Sequence, residues 1–357
     1  MAQNSKKNLL IVGYYALADG FQTCANYLQK KYNILFFPLL YYQNNHLNIV
    51  QNVSKYINGE PLEKYTHHLI PNNQKIDIVF LWYHNYFCSD FTHVRYFELI
   101  KENVHKEVVF IGYNWDPLCP TEEIKPSKIQ FISSLNAYIS GDILEINYLK
   151  SKGLTNLEFC PSGFDPTVSS FIQDTEYECD VSIVCTNLYT NHLSFPLEYV
   201  RLNRKKLVDG IYENRHKIKF HIYGPQFLSN LYPDCYQGYI EYKNCPKVFS
   251  NSKINLCIHA VSYNSQGQYL YFSERLPQIL GCQGLLYCET EYKELLIPNV
   301  NYILADPLDP VNQIEEILTN YESYTQLKKN GYLLAIKHLT WQNLVDKIQQ
   351  IEIKNFI

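Results

Sequence analysis

The feature that most constrains this chain is a repeated alternation. Short, uninterrupted apolar runs are separated by stretches with helical spacing. Asn8-Leu9-Leu10-Ile11-Val12-Gly13, Asn33 to Leu40, Ile76 to Trp82 and Glu107 to Tyr113 are four such runs in the first half. They are apolar at nearly every position instead of every second one. That pattern predicts strands buried on both faces, hence a parallel sheet covered by helices on each side. Between the first two runs, Phe21, Ala25 and Leu28 recur at helical spacing within Ala18 to Lys31. Phe131 to Ser133 and Asn156 to Phe159 read as shorter strands, with a helix at about Gly141 to Lys152 between them. Cys160-Pro161-Ser162-Gly163-Phe164-Asp165-Pro166 breaks regular structure and is expected to carry a domain linker. The plan then repeats. Asp180 to Cys185, Ile218 to Gly224, Lys253 to Ile258, Gly284 to Cys288 and Asn301 to Leu304 read as strands. Leu197 to Asn214, Ser273 to Leu280, Val311 to Asn320 and Tyr321 to Leu339 read as helices, and Trp341 to Ile351 as a last amphipathic one. The 357 residues therefore divide into two doubly wound α/β units in tandem. The expected bounds are 1–162 and 163–340, with a closing helix at 341–357.

Composition excludes several classes. With 46% apolar and 18% charged residues, the chain is not of the disordered kind. A formal charge of -4 spreads no basic field for nucleic acid, so none is expected as a partner. No run of 18 apolar residues predicts a membrane span. The polar start, Met1 to Asn8, leads straight into the first strand without the pattern of a signal peptide, so a cytoplasmic location is expected. The eleven cysteines are scattered without a C-x-x-C pair, which reads as reduced thiols and no zinc site. Tyrosine is abundant, at 32 residues against one methionine, and reads as codon bias more than as a binding adaptation.

In open α/β sheets ligands lie outside the carboxyl ends of the strands, and two such units facing one another make the cleft between them the expected site. Gly13 ends the first strand and is followed by Tyr14 and Tyr15, so there is no G-x-G-x-x-G fingerprint and a nicotinamide redox enzyme is disfavoured. Gly13 with Tyr14 either forms a tight turn or lets an acceptor or phosphate approach. His84 follows the third strand and is either a general base, its pKa lying near neutrality, or a loop histidine. Asp116 follows the fourth, where Asp before Pro also shapes turns. Gly224, before Pro225, allows close approach of a ligand or makes a turn. The most informative stretch runs from Tyr271 to Glu294. A polar loop, Ser262 to Gln268, leads into a helix start carrying Ser273, Glu274 and Arg275. Free N–H groups there attract phosphate, and Arg275 would add charge-assisted hydrogen bonds to a diphosphate. The alternative is an ordinary helix–turn–strand with a surface Glu–Arg pair.

Several stretches share one pattern. Leu157 to Pro166 combines a strand end with P-x-G-x-D. Asp180 to Val184 and Phe220 to Gly224 bracket Arg204 and Leu207. Tyr236 to Tyr239, Val248 to Leu256, Glu274 to Gly284, and His338 to Trp341 follow in order. Over residues 150 to 345 this resembles GT-B glycosyltransferases of the broad group-1 kind, and most of all the CgeB-like, spore-maturation-protein-like branch. The first half resembles them only in plan. The resemblance implies two Rossmann-like domains facing a cleft and transfer of a sugar from a nucleoside-diphosphate donor to a glycan or protein. The donor, a UDP-sugar first, would be a substrate, with no further cofactor and no metal. Donor binding would fall to Gly224, Arg204, Arg275, Glu274 and Gln278, the last standing where that group carries a glutamate. Acceptor binding would fall to Gly13 and Tyr14, with His84 and Asp116 as catalytic groups. Retention of anomeric configuration is the expected outcome. Tyr83, Tyr86, Phe87 and Trp115 could stack on a sugar ring. The alternatives are a non-catalytic nucleotide-sugar-binding module, which would show no turnover, and a sugar-nucleotide epimerase of the same architecture, which would need no acceptor.

Overall fold

The computed structural model describes residues 6–13, 20–38, 75–82, 97, 100–101, 104–114, 126–185, 204–258, 272–292 and 295–356. Among them lie two six-stranded sheets, each with parallel neighbours throughout. The first contains β1 (Asn8–Gly13), β2 (Asn33–Pro38), β3 (Ile78–Trp82), β4 (Val109–Asn114), β5 (Ala137–Ser140) and β6 (Leu157–Phe159), in the order β2-β1-β3-β4-β5-β6. The second contains β7 (Cys179–Val184), β8 (Phe220–Tyr223), β9 (Tyr236–Gly238), β10 (Ser252–Leu256), β11 (Leu286–Cys288) and β12 (Ile303–Leu304), in the order β12-β11-β10-β7-β8-β9. In each, the chain winds one way from the first strand and then returns to wind the other way. The direction changes between β1 and β3 in the first sheet and between β7 and β10 in the second.

Burial explains why the strands read as unbroken apolar runs. Side chains alternate across a strand, and both faces of the first sheet are covered. Leu9, Ile11, Ile78, Phe80 and Ile111 belong to one core, and Leu10, Val12, Val79 and Leu81 to the other. The chain forms two compact units, 1–163 with 341–357, and 164–340. The closing helix, Trp341–Phe356, is part of the first unit's core through Trp341, Leu344, Val345, Ile348 and Ile351. The Trp341 ring lies 5.9 Å from that of Trp82, and its Nε1 donates to Thr23 Oγ1 at 2.9 Å. Lys347 and Lys354 both bond Glu158, each at 3.1 Å, which holds the Glu158 carboxyl below its ordinary range against the opposing effect of burial.

One sequence expectation is corrected. Phe131 to Ser133 is not a strand but the end of a helix, Pro126–Ser133, and the strand is Ala137–Ser140. Pro126 at the first helical position, where no N–H is needed, and Ile129 with Ile132 at helical spacing decide it. A run as short as Phe131-Ile132-Ser133 has no period of its own. The other expected elements fall within a few residues of their places, and the helix expected from Leu197 is described from Arg204 to Glu213; β9 and the helices Leu228–Leu231 and Cys245–Asn251 had no counterpart in the expectation.

The linker is divided between the units, Cys160 lying in the first unit's core and Phe164 in the second's. Phe164 is fully buried, and its ring fills the space a Cβ on Gly281 would need. Gly281→Ala is therefore expected to displace Phe164 and to lower stability by about 1–3 kcal/mol, read as a shift of the urea midpoint.

Candidate functional site

The second sheet's direction change puts the ends of β7 and β10 side by side, and two arginines stand there. Arg204 is the first described residue of the helix Arg204–Glu213 and is buried; its Nε donates to the Ile258 carbonyl at 2.6 Å, just beyond β10. Arg275 opens the helix Arg275–Gly281; its Nη1 donates to the Val184 carbonyl at 2.7 Å, the last residue of β7. Arg275 Nε also donates to Ser273 Oγ at 3.3 Å. Strand-end carbonyls thus orient both guanidiniums. Burial, then the neighbouring charge of Arg275, lowers the pKa of Arg204 to about 10. Both cations also act on the buried Cys185 thiol, whose pKa burial raises. Two like charges crowded at one strand end repel, and a bound anion would reverse that cost. The arrangement is suited to hold a polyanion such as a diphosphate.

The remaining donor-side candidates fall nearby in the chain. Glu274 precedes the Arg275 helix, with helical backbone and no side-chain cap hydrogen bond. Gln278 lies one turn beyond Arg275 and is 3% exposed. Gly224 follows β8. Its N–H donates to the Gly238 carbonyl at 3.0 Å, and its own carbonyl accepts from Tyr236 Oη at 3.0 Å. A Cβ here would run into the Cys185 carbonyl and come within 2.7 Å of Leu228 Cδ1. The glycine thus lets this turn press against the end of β7.

In the first sheet, a Cβ on Gly13 would lie 2.7 Å from the Trp82 carbonyl, so β1 and β3 can close together at their ends only with glycine. Tyr14, His84 and Asp116 lie outside the described residues, as do Tyr83, Tyr86, Phe87 and Trp115.

Two groups at strand ends escaped sequence reading. One is Glu289, directly after β11, whose charge bears on Arg204. The other is Glu145, on the helix Ile143–Ser151. It is 4% exposed and accepts hydrogen bonds from Tyr138 Oη at 2.7 Å, Ser140 Oγ at 2.5 Å and Asn114 Nδ2 at 3.3 Å. It ties the carboxyl ends of β4 and β5 together. Asp142 caps that helix, its side chain accepting from the Leu144 N–H at 2.7 Å. The D-x-x-E spacing of Asp142 and Glu145 marks a helix start, but the glutamate serves the sheet instead. Burial raises the Glu145 carboxyl to about 7, against the opposing hydrogen bonds from Ser140 and Tyr138.

That shift has a sign. The folded state holds a proton on Glu145 that the unfolded chain releases near 4.5. Its contribution is full below that pH and is lost as pH rises through about 7. Wild-type stability is expected to fall between pH 5 and 8 relative to Glu145→Gln, by up to about 3 kcal/mol. Urea denaturation of both proteins across that range checks it.

Residues 204–350 match the family model described as glycosyl transferase-like. No curated protein sequence matches the chain. Among solved structures, a glycosyltransferase from Rickettsia africae ESF-5 is similar at 10% identity and a TM-score of 0.60, over 98% of both chains. Anabaena HepE, solved with UDP-glucose, is similar at 8% identity and a TM-score of 0.62, over 96% of this chain and 98% of that one. An alpha-glucosyltransferase solved with UDP-glucose and DNA containing an abasic site is similar at 8% identity and 0.58, over 97% and 99%. No helix among the described residues is long and apolar enough to cross a membrane. The chain has the two-unit α/β architecture of the GT-B glycosyltransferases, with Arg204 and Arg275 at the switch point of its second sheet.

Proposed function

We propose that this protein is a glycosyltransferase that moves a sugar from a nucleoside-diphosphate donor to a glycan or protein acceptor. The observation that carries this reading is the pair Arg204 and Arg275, held by the Ile258 and Val184 carbonyls at the switch point of the second sheet. When the bond from the anomeric carbon to the phosphate oxygen breaks, negative charge grows on the departing diphosphate. Two preplaced guanidiniums stabilise that charge more in the transition state than in the bound donor. In this reading they serve in place of a metal ion. Gln278 and Glu274 hold the ribose, and the turn at Gly224 closes one side of the donor site. The acceptor is taken at the carboxyl end of the first sheet, by Gly13 and Tyr14, with His84 and Asp116 to receive its proton. Retention of configuration and a place in the CgeB-like branch belong to the same proposal. The glycosyl transferase-like match across 204–350 supports it, and the UDP-glucose bound by two structures of like fold makes UDP-glucose the first donor to try.

The test is release of nucleoside diphosphate from UDP-, GDP-, ADP- and dTDP-hexoses, with and without a panel of glycan and protein acceptors. Release that depends on acceptor supports transfer. Binding without release would favour the non-catalytic module, and conversion of the sugar with no acceptor would favour the epimerase.

A further inference from the structure

Charge is not spread evenly over the ends of the second sheet's strands. Arg275 and Arg204 are tied to the ends of β7 and β10. The next strand outward, β11, pairs with β10 through Asn255 with Leu286 and Leu256 with Tyr287. Glu289 directly follows the end of β11, and Ile258, whose carbonyl holds Arg204, lies two residues beyond the end of β10. The separation of neighbouring strands is about 4.8 Å. The Glu289 charge reaches Arg204, and Cys288 Sγ donates a weak hydrogen bond to Glu289 Oε2 at 3.6 Å. Glu289 is half-buried. The next residue, Thr290, is 4% exposed, and its buried hydroxyl has no hydrogen-bond partner among the described residues.

An ionised carboxylate only accepts hydrogen bonds. Beside a diphosphate it repels the phosphate oxygens, whereas it pairs well with the hydroxyl groups of a sugar. We infer that Glu289 accepts hydrogen bonds from the hydroxyls of the transferred sugar, so that it selects the donor's sugar and not its nucleotide. This rests on the nucleotide-sugar reading above and adds an orientation to it. The sugar lies toward β11, and the diphosphate over β10 and β7. A purely structural Glu289, serving only as counter-charge to Arg204, would affect every ligand of the arginines alike.

Calorimetry separates the two. Wild type, Glu289→Ala and Glu289→Gln are titrated with UDP and with UDP-glucose, and likewise with the matched GDP–GDP-mannose, ADP–ADP-glucose and dTDP–dTDP-glucose pairs. For the pair that the wild type binds, Glu289→Ala is expected to change affinity for the free diphosphate by less than about twofold and to weaken the nucleotide sugar about tenfold or more. Glu289→Gln keeps the size of the side chain and falls between. The unchanged diphosphate affinity also shows that the variants are folded. An equal loss for both ligands, or no loss for either, overturns the inference while leaving the donor site standing. No binding of any pair by the wild type removes the nucleotide-sugar reading and this inference with it.

Discussion

Truncation after Thr340 is expected to leave the first unit without a stable fold. The helix Trp341–Phe356 supplies five buried side chains to that unit's core: Trp341, Leu344, Val345, Ile348 and Ile351. At about 2 kcal/mol for each buried apolar side chain, the loss is roughly 10 kcal/mol, comparable with the whole stability of a typical domain at about 5–15 kcal/mol. The polar contacts add to it. Tyr32 Oη loses Glu352 at 2.8 Å, Lys7 loses its ion pair with Glu352 at 2.7 Å, and Glu158 loses both lysines. The single change Trp341→Ala is expected to cost about 3–5 kcal/mol, because it opens a cavity against Trp82 and removes the hydrogen bond to Thr23 Oγ1. Denaturant unfolding of the full chain, the 341–357 deletion and Trp341→Ala checks both figures. A truncated protein with the wild-type midpoint would show that the helix is dispensable.

The second large effect is on activity. Arg275→Ala is expected to lower kcat/KM for the nucleotide sugar about 100- to 1000-fold, the loss typical of one preplaced charge-stabilising donor. Arg204→Met is expected to do the same. Because the folded protein holds Arg204 at lowered basicity, through burial and the neighbouring Arg275, its charge is a cost to the fold in the absence of an anion. Its replacement is therefore expected to reduce activity with little loss of stability, the mark of a group kept for function. The double variant should lose less than the sum of the two, since both groups serve the same diphosphate. Initial rates with saturating acceptor, set beside thermal midpoints, separate these outcomes. Activity falling only in proportion to stability would assign the arginines to the scaffold.

Most of the architecture could be read from the residues because the strands are covered on both faces. Ile78 to Trp82 is buried at all five positions, and such a run has one physical explanation. The reading failed where that cover or length was missing. Phe131 to Ser133 was too short to show its period. β9, Tyr236–Gly238, is a three-residue edge strand without a buried side chain and carries no apolar signature. At the site, Arg275 was legible from its place at a helix start, and Arg204 through resemblance. Their convergence depends on the strand order that sets β7 beside β10, which no local pattern encodes. Glu289 is an ordinary residue in sequence and becomes notable only because β11 pairs with β10. At Gly224 the structure adds a packing reason for glycine that the sequence does not show, the Cys185 carbonyl standing where a Cβ would be.

The central claim is that the second unit holds the diphosphate of a nucleotide sugar between Arg204 and Arg275. Its most direct test is calorimetric titration of the wild type and Arg275→Ala with UDP-glucose and its GDP-, ADP- and dTDP-linked counterparts. Saturable binding of at least one by the wild type is expected, with an affinity reduced about tenfold or more in the variant. Binding of equal strength to both proteins, or to neither, would contradict it.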